Sequence, residues 1–220
     1  AQITLTIGSE TVCNVGDSIT VPVNVTGFTA VGSFSIKILY NPAVLSFGRT
    51  LNWDSSFPGV IEGNNSTTGT LAESWILQTG PVTIANGKLF DIKFAAVGGS
   101  SNVSFSTNSG DNEVTDQLGA PYTITTISGG VAAQSSPTPV ITGNLSYCIG
   151  SNTTLNAGSY ASYLWSNNST TPSITVTAGT YSVTVTDTNG CSGSSANASV
   201  VSNSVYSVTD TASISCGGSY

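Results

Sequence analysis

Histidine and methionine are absent from this chain, and only four residues are basic, Lys37, Arg49, Lys88 and Lys93. Without histidine, neither a Ser-His nor a Cys-His nucleophile pair can be built, and the commonest metal ligand is missing. The four cysteines lie too far apart in sequence to give thiolates at zinc spacing. With a net charge of −7 and no basic cluster, the chain is not expected to bind nucleic acid or an anionic membrane. No run of eighteen or more apolar residues is available to span a bilayer, so no membrane insertion is expected. Starting at Ala1 without a charged-then-apolar leader, the chain reads as a mature product whose signal peptide has gone. Nor does any window of a dozen residues sustain a 3.6-residue apolar period, which excludes amphipathic helices.

What is present is Ser, Thr, Asn and Gly. Charged residues make up 7% of the chain, so hydroxyls and amides must carry its solubility, as suits a secreted or cell-surface protein in an oxidising setting. Cys148 and Cys191 bracket one segment and read as its pair, a loop-closing bond worth about 2–4 kcal/mol. Cys13 and Cys216 stand near opposite ends and could pair within a chain or between chains; four cysteines allow three pairings. Asn24, Asn64, Asn65, Asn102, Asn144, Asn152, Asn167, Asn168 and Asn197 each open an N-x-[ST] triplet, the acceptor pattern for glycans. Ser18 and Thr211 lie in Asp-[Ser/Thr]-apolar triplets that resemble a bacterial O-glycosylation signal.

Residues 132–139, with Pro137 and Pro139, lack apolar periodicity and read as a semi-extended linker. On both sides apolar and polar residues alternate, as in Ile3-Thr4-Leu5-Thr6-Ile7, Ile19–Val25, Phe34–Ile38, Ser173–Val176 and Tyr181–Val185. Period-two alternation means strands with one buried face. The expected fold class is all-β: two antiparallel β-sandwich domains, 1–131 and 140–201, followed by a strand-forming tail, 202–220.

The stretch Val15-Gly16-Asp17-Ser18-Ile19-Thr20-Val21-Pro22-Val23-Asn24-Val25, then Phe34–Leu39 and Tyr40-Asn41-Pro42-Ala43-Val44-Leu45-Ser46-Phe47, resembles the opening of a cohesin-like domain. Asn41-Pro42 initiates a tight bend, with Tyr40 and Leu45 as core anchors on either side. Leu89–Phe94 is similar to the later central strand of such domains, and Thr123–Val131 to the closing one. The resemblance covers residues 1–131 and implies a flattened jelly roll of about nine strands, of a kind used to dock protein modules or build scaffolds. It carries no individual partner-binding residue with it.

Tyr147–Leu155, Tyr163-Leu164-Trp165-Ser166 and Gly179–Asp187 with Asn189-Gly190-Cys191 resemble the immunoglobulin-like or PKD-like repeats of Bacteroidetes adhesins. Tyr181 lies ten residues before Cys191 and not two, so the usual tyrosine corner is not expected. Trp165 is the expected core plug.

Catalysis has little to work with, and no enzyme activity or cofactor is expected. Acids and indoles mingle only around Trp53, Asp54, Glu62, Glu73 and Trp75; Trp53 and Trp75 are either core or a contact surface that could stack on glycans. Asn108, Asp111, Asn112, Glu113 and Asp116 form an oxygen-rich loop, and Asp111, Glu113 and Asp116 are its calcium candidates, without EF-hand register.

The tail alternates like strands after the second sandwich is complete, as in Val205–Val208 and Ala212–Cys216. It reads either as the start of a further module or as a strand donated to a neighbour. The reading that follows is a non-catalytic extracellular structural or adhesive subunit that self-associates head to tail into a fibre or surface layer. The alternative is a cohesin-type scaffold module with a dockerin-like protein partner, and the third reading is a carbohydrate-binding module.

Overall fold

A computed structural model describes residues 2–76, 80–84 and 86–204, so the expectations for the tail, including Thr211 and Cys216, lie outside the described residues. Every regular element among those residues is a strand. The chain divides into two units, residues 1–134 and 135–220, each treated separately below.

In the first unit two sheets face each other. One has the order β11 (Thr123–Ile127), β1 (Gln2–Ile7), β3 (Ser18–Thr26), β8 (Gly87–Ala96), β5 (Leu45–Leu51). The other runs β2 (Ser9–Val12), β12 (Gly129–Ala133), β9 (Ser101–Phe105), β4 (Val31–Leu39), β7 (Thr70–Ile76), β6 (Ile61–Asn65), with β10 (Glu113–Asp116) also paired to β4. Alternation does the sorting. In β3, Ile19, Val21, Val23 and Val25 point inward, and in β4 Phe34, Ile36 and Ile38 do so. Between the sheets they meet Ile3, Leu5, Leu71, Leu89, Phe90, Ile92 and Phe94, all wholly or nearly wholly buried.

The Asn41-Pro42 bend forms as its residue types require. Asn41 Oδ1 accepts from the Ala43 amide at 3.0 Å, the Asn41 carbonyl accepts from Leu45 N–H at 2.9 Å, and Tyr40 and Leu45 are buried. The closing stretch differs from the single strand expected over Thr123–Val131. It is cut at Ser128: β11 runs parallel to β1 in one sheet, while β12 runs parallel to β2 in the other. Splitting at both ends of the unit yields twelve strands where about nine were expected.

The second unit has three three-stranded sheets: β13 (Thr142–Gly143), β15 (Thr153–Asn156), β17 (Ser173–Val176); β14 (Ser146–Cys148), β21 (Ala198–Asn203), β18 (Gly179–Tyr181); and β16 (Ser162–Trp165), β19 (Val183–Thr186), β20 (Ser192–Ser194). Trp165 is 1% exposed among Leu155, Ile174, Val176, Val183, Val185 and Val200. Its indole N–H donates to the Thr171 carbonyl at 2.8 Å, which satisfies the one polar atom that a buried tryptophan brings with it. Tyr181 supplies a corner-type bond after all, its hydroxyl donating to the Thr177 carbonyl four residues upstream at 3.1 Å. That bond depends on the local turn and not on distance from a cysteine.

Candidate docking face

The two outer faces of the first unit differ in chemistry. On the five-stranded sheet, the outward positions of β3 are Ser18, Thr20, Pro22, Asn24 and Thr26, and those of β8 include Lys93. Arg49 of β5 lies directly opposite Lys93. Lys88, on the same sheet, bonds Asp91 at 2.8 Å. Three of the four cations of the chain therefore belong to this sheet.

On the other sheet, register sets small side chains and hydroxyls side by side. Ser74 of β7 pairs with Ser35 of β4 and Ile61 of β6, and Ala72 pairs with Lys37 and Gly63. Alternation places Ser33, Ser35, Lys37 and Leu39 outward on β4, and Thr70, Ala72, Ser74 and Ile76 outward on β7. Ile61 and Ile76 are 68% and 71% exposed, and their register makes them diagonal neighbours at one end of the face. Leu118, 86% exposed, tops the turn after β10, whose Asp116 is opposite Val31 at that same end of β4. The single cation of the face is restrained, since Lys37 Nζ lies 3.2 Å from Asp111. A flat floor of Ala, Gly and Ser with a few exposed aliphatics favours close approach by a protein surface.

Several expected site residues have other roles. Trp75 is 3% exposed and packs edge-on to Phe57 at 5.0 Å, with its N–H on the Pro58 carbonyl. Trp53 is half-buried and stacks on Phe90 at 4.0 Å. The pair is core, which corrects the contact-surface expectation for Trp75: strand alternation points it inward with Leu71. The acidic loop is likewise not one site. Asp111 accepts from Ser106 Oγ at 2.5 Å, and this bond with the neighbouring Lys37 holds its carboxyl below the usual value. Asp116 Oδ1 caps the amides of Leu118 and Ala120, while Glu113 is exposed on β10. Among the described residues no three metal-ligating side chains converge, and the calcium candidates Asp111, Glu113 and Asp116 are held apart, two of their carboxylates accepting hydrogen bonds from protein donors.

Cys13, Cys148 and Cys191 are each disulfide-bonded. Cys191 is wholly buried, and Asp187 Oδ1 accepts its amide at 2.9 Å. Ser18 and the sequon asparagines are exposed, apart from half-buried Asn24. Glu73, named in the sequence only as part of an acid and indole cluster, is 0% exposed, and neither of its oxygens has a hydrogen-bond partner among the described residues. Its signal was in the sequence, since Leu71, Glu73 and Trp75 share one parity on β7.

A family model described as the cohesin domain matches residues 3–133. The chain belongs to the cohesin family. Solved cohesins share its fold. The sixth cohesin of scaffoldin B from Acetivibrio cellulolyticus, solved in complex with a Cel5 dockerin variant, is 21% identical, with a TM-score of 0.52 over 61% of this chain and 100% of its own. CaCohA2 from Clostridium acetobutylicum is 18% identical, with a TM-score of 0.53 over 60% of this chain and 91% of its own. A non-cellulosomal cohesin from the archaeon Archaeoglobus fulgidus is 23% identical, with a TM-score of 0.50 over 61% of this chain and 93% of its own. No curated protein matches the chain. The family match stops at residue 133, so the likeness of the second unit to immunoglobulin-like repeats rests on its sequence alone. No helix among the described residues is long and apolar enough to cross a membrane.

Proposed function

We propose that the chain is a non-catalytic scaffold component acting outside the cell, whose cohesin domain holds a dockerin-like protein partner on the outer face of the β4–β7–β6 sheet. The observation that carries this is the contrast between the two faces within a cohesin domain. One is polar and cationic, the other small, flat and edged by Ile61, Ile76 and Leu118. A partner that must approach the backbone closely gains most from the second, where apolar area can be removed from water without burying an unpaired cation.

This reading takes precedence over the head-to-tail fibre, because family membership supports docking while no specific observation favours self-association. Calorimetric titration of the chain with dockerin-bearing secreted proteins of its own organism is the test. A saturable one-to-one heat with at least one of them supports the proposal. Absence of heat with all of them, together with concentration-dependent growth in light scattering, would restore the fibre.

A further inference from the structure

Strand β6 is the outer edge of its sheet, and all five of its residues are exposed. No core burial therefore retains it. What holds it is the ladder to β7 and two side-chain links. Glu62 Oε2 accepts from the Thr50 amide at 3.0 Å and from Thr50 Oγ1 at 2.6 Å, tying β6 to the edge of the opposite sheet, and Tyr40 Oη donates to Asn64 Oδ1 at 3.1 Å.

Glu62 sits directly opposite Glu73 in the ladder, so the two carboxyls share the inner side of the strand pair. Directly opposed residues have Cβ atoms about 5 Å apart. Around Glu73 the other groups are not charged: its β4 partner is Ile36, and Tyr40 is the nearest titratable residue on the inner side of β4 and its turn. Arg49 of β5 faces outward with Lys93. Among the described residues no cation is placed to compensate an ionised Glu73: Lys37 and Lys88 pair with Asp111 and Asp91.

We propose that the facing carboxyls of Glu62 and Glu73 make β6 a releasable edge: with Glu73 protonated the strand stays on the sheet, and ionisation of Glu73 drives it off. The energetics follow from burial. An ionised carboxylate without partners in an apolar core is among the most costly groups a protein can hold, and removing the covering strand admits the water that relieves it. Of the surrounding elements, β6 is the one with no buried side chain to lose, so it is the local unit expected to open first. Burial, and secondarily the Glu62 charge, push the Glu73 carboxyl from its ordinary 4.5 up to about 9. The opening equilibrium therefore rises about tenfold per pH unit between those values and levels off above the upper one. Because β6 contributes Ile61, Gly63 and Asn65 to the proposed docking face, release would also weaken docking; that consequence rests on the docking proposal, whereas the release itself does not.

Subtilisin cleavage of the chain alone between pH 6 and 10.5, normalised to an unfolded peptide spanning residues 58–68, tests the release. The expected result is cleavage confined to β6, with a rate climbing about tenfold per pH unit up to about pH 9 and then flat, and a pH-independent rate in Glu73→Gln. The same slope in Glu73→Gln, or simultaneous cutting in β3 and β8, would overturn the proposal. Carbon-13 carboxyl NMR on the unmodified chain is the second measurement, and a Glu73 resonance that titrates near its ordinary value would also overturn it.

Discussion

Gly8 and Gly129 meet backbone to backbone: a Cβ placed on Gly129 would lie 2.0 Å from the carbonyl oxygen of Gly8. At this point the parallel pair β1 and β11 leaves one sheet, and the parallel pair β2 and β12 begins the other. The jelly roll closes there, because the first and last strands switch sheets together. Only a residue without a side chain lets the two turning backbones approach so closely.

Gly129→Ala is therefore expected to destabilise the first unit by about 3 kcal/mol. The obstructing atom is backbone and cannot swing aside. Urea unfolding followed by tryptophan fluorescence measures this, and an unchanged midpoint would show that the corner tolerates a methyl group.

Burial of Glu73 gives stability a slope with pH. Its carboxyl is raised in the folded state to about 9 from 4.5, so the folded chain binds a proton that the unfolded chain releases between those values. Its contribution is fully favourable below the lower value and is lost as pH rises to the upper one, at most about 1.4 kcal/mol per pH unit. Glu73→Gln should flatten this slope between pH 5 and 9, as read from unfolding midpoints at each pH. A slope equal to that of the unmodified chain would contradict the assignment.

Trp75→Ala and Trp165→Ala should each cost about 3–5 kcal/mol, the first in unit one and the second in unit two. Circular dichroism melts resolve the two. A Trp75→Ala chain that keeps its stability while losing affinity for a polysaccharide would return that residue to a contact surface.

Much of this fold is legible in the sequence where one side of a strand is apolar throughout. The alternation in Ile19–Val25 and Phe34–Ile38 gives the inner faces of β3 and β4 directly, and Asn41-Pro42 gives the bend between strands. The sheet switch at Ser128 is not legible, because Thr123–Val131 alternates smoothly through it and only the close approach of the Gly8 backbone to Gly129, and of the Ser101 carbonyl to Gly130, explains the glycine pair. Trp75 and Glu73 could be placed inward by parity with Leu71, yet read as composition their polar atoms and the nearby acids leave a contact surface open beside the core. The docking face is harder still. Its floor of Ser, Ala and Gly is indistinguishable in sequence from the solvent-facing side of any other strand, and only cross-strand register assembles it.

The central claim is that the β4–β7–β6 face is the docking surface, and opposed substitutions on the two faces test it most directly. Ala72→Arg places a bulky cation in the middle of that face, whereas Thr20→Arg does the same on the five-stranded sheet, and both positions are exposed. Measured by calorimetry against a dockerin-type partner, Ala72→Arg should weaken affinity at least 100-fold, about 3 kcal/mol, while Thr20→Arg leaves it unchanged. Undiminished binding by a folded Ala72→Arg chain, or loss of binding in Thr20→Arg, would contradict the account.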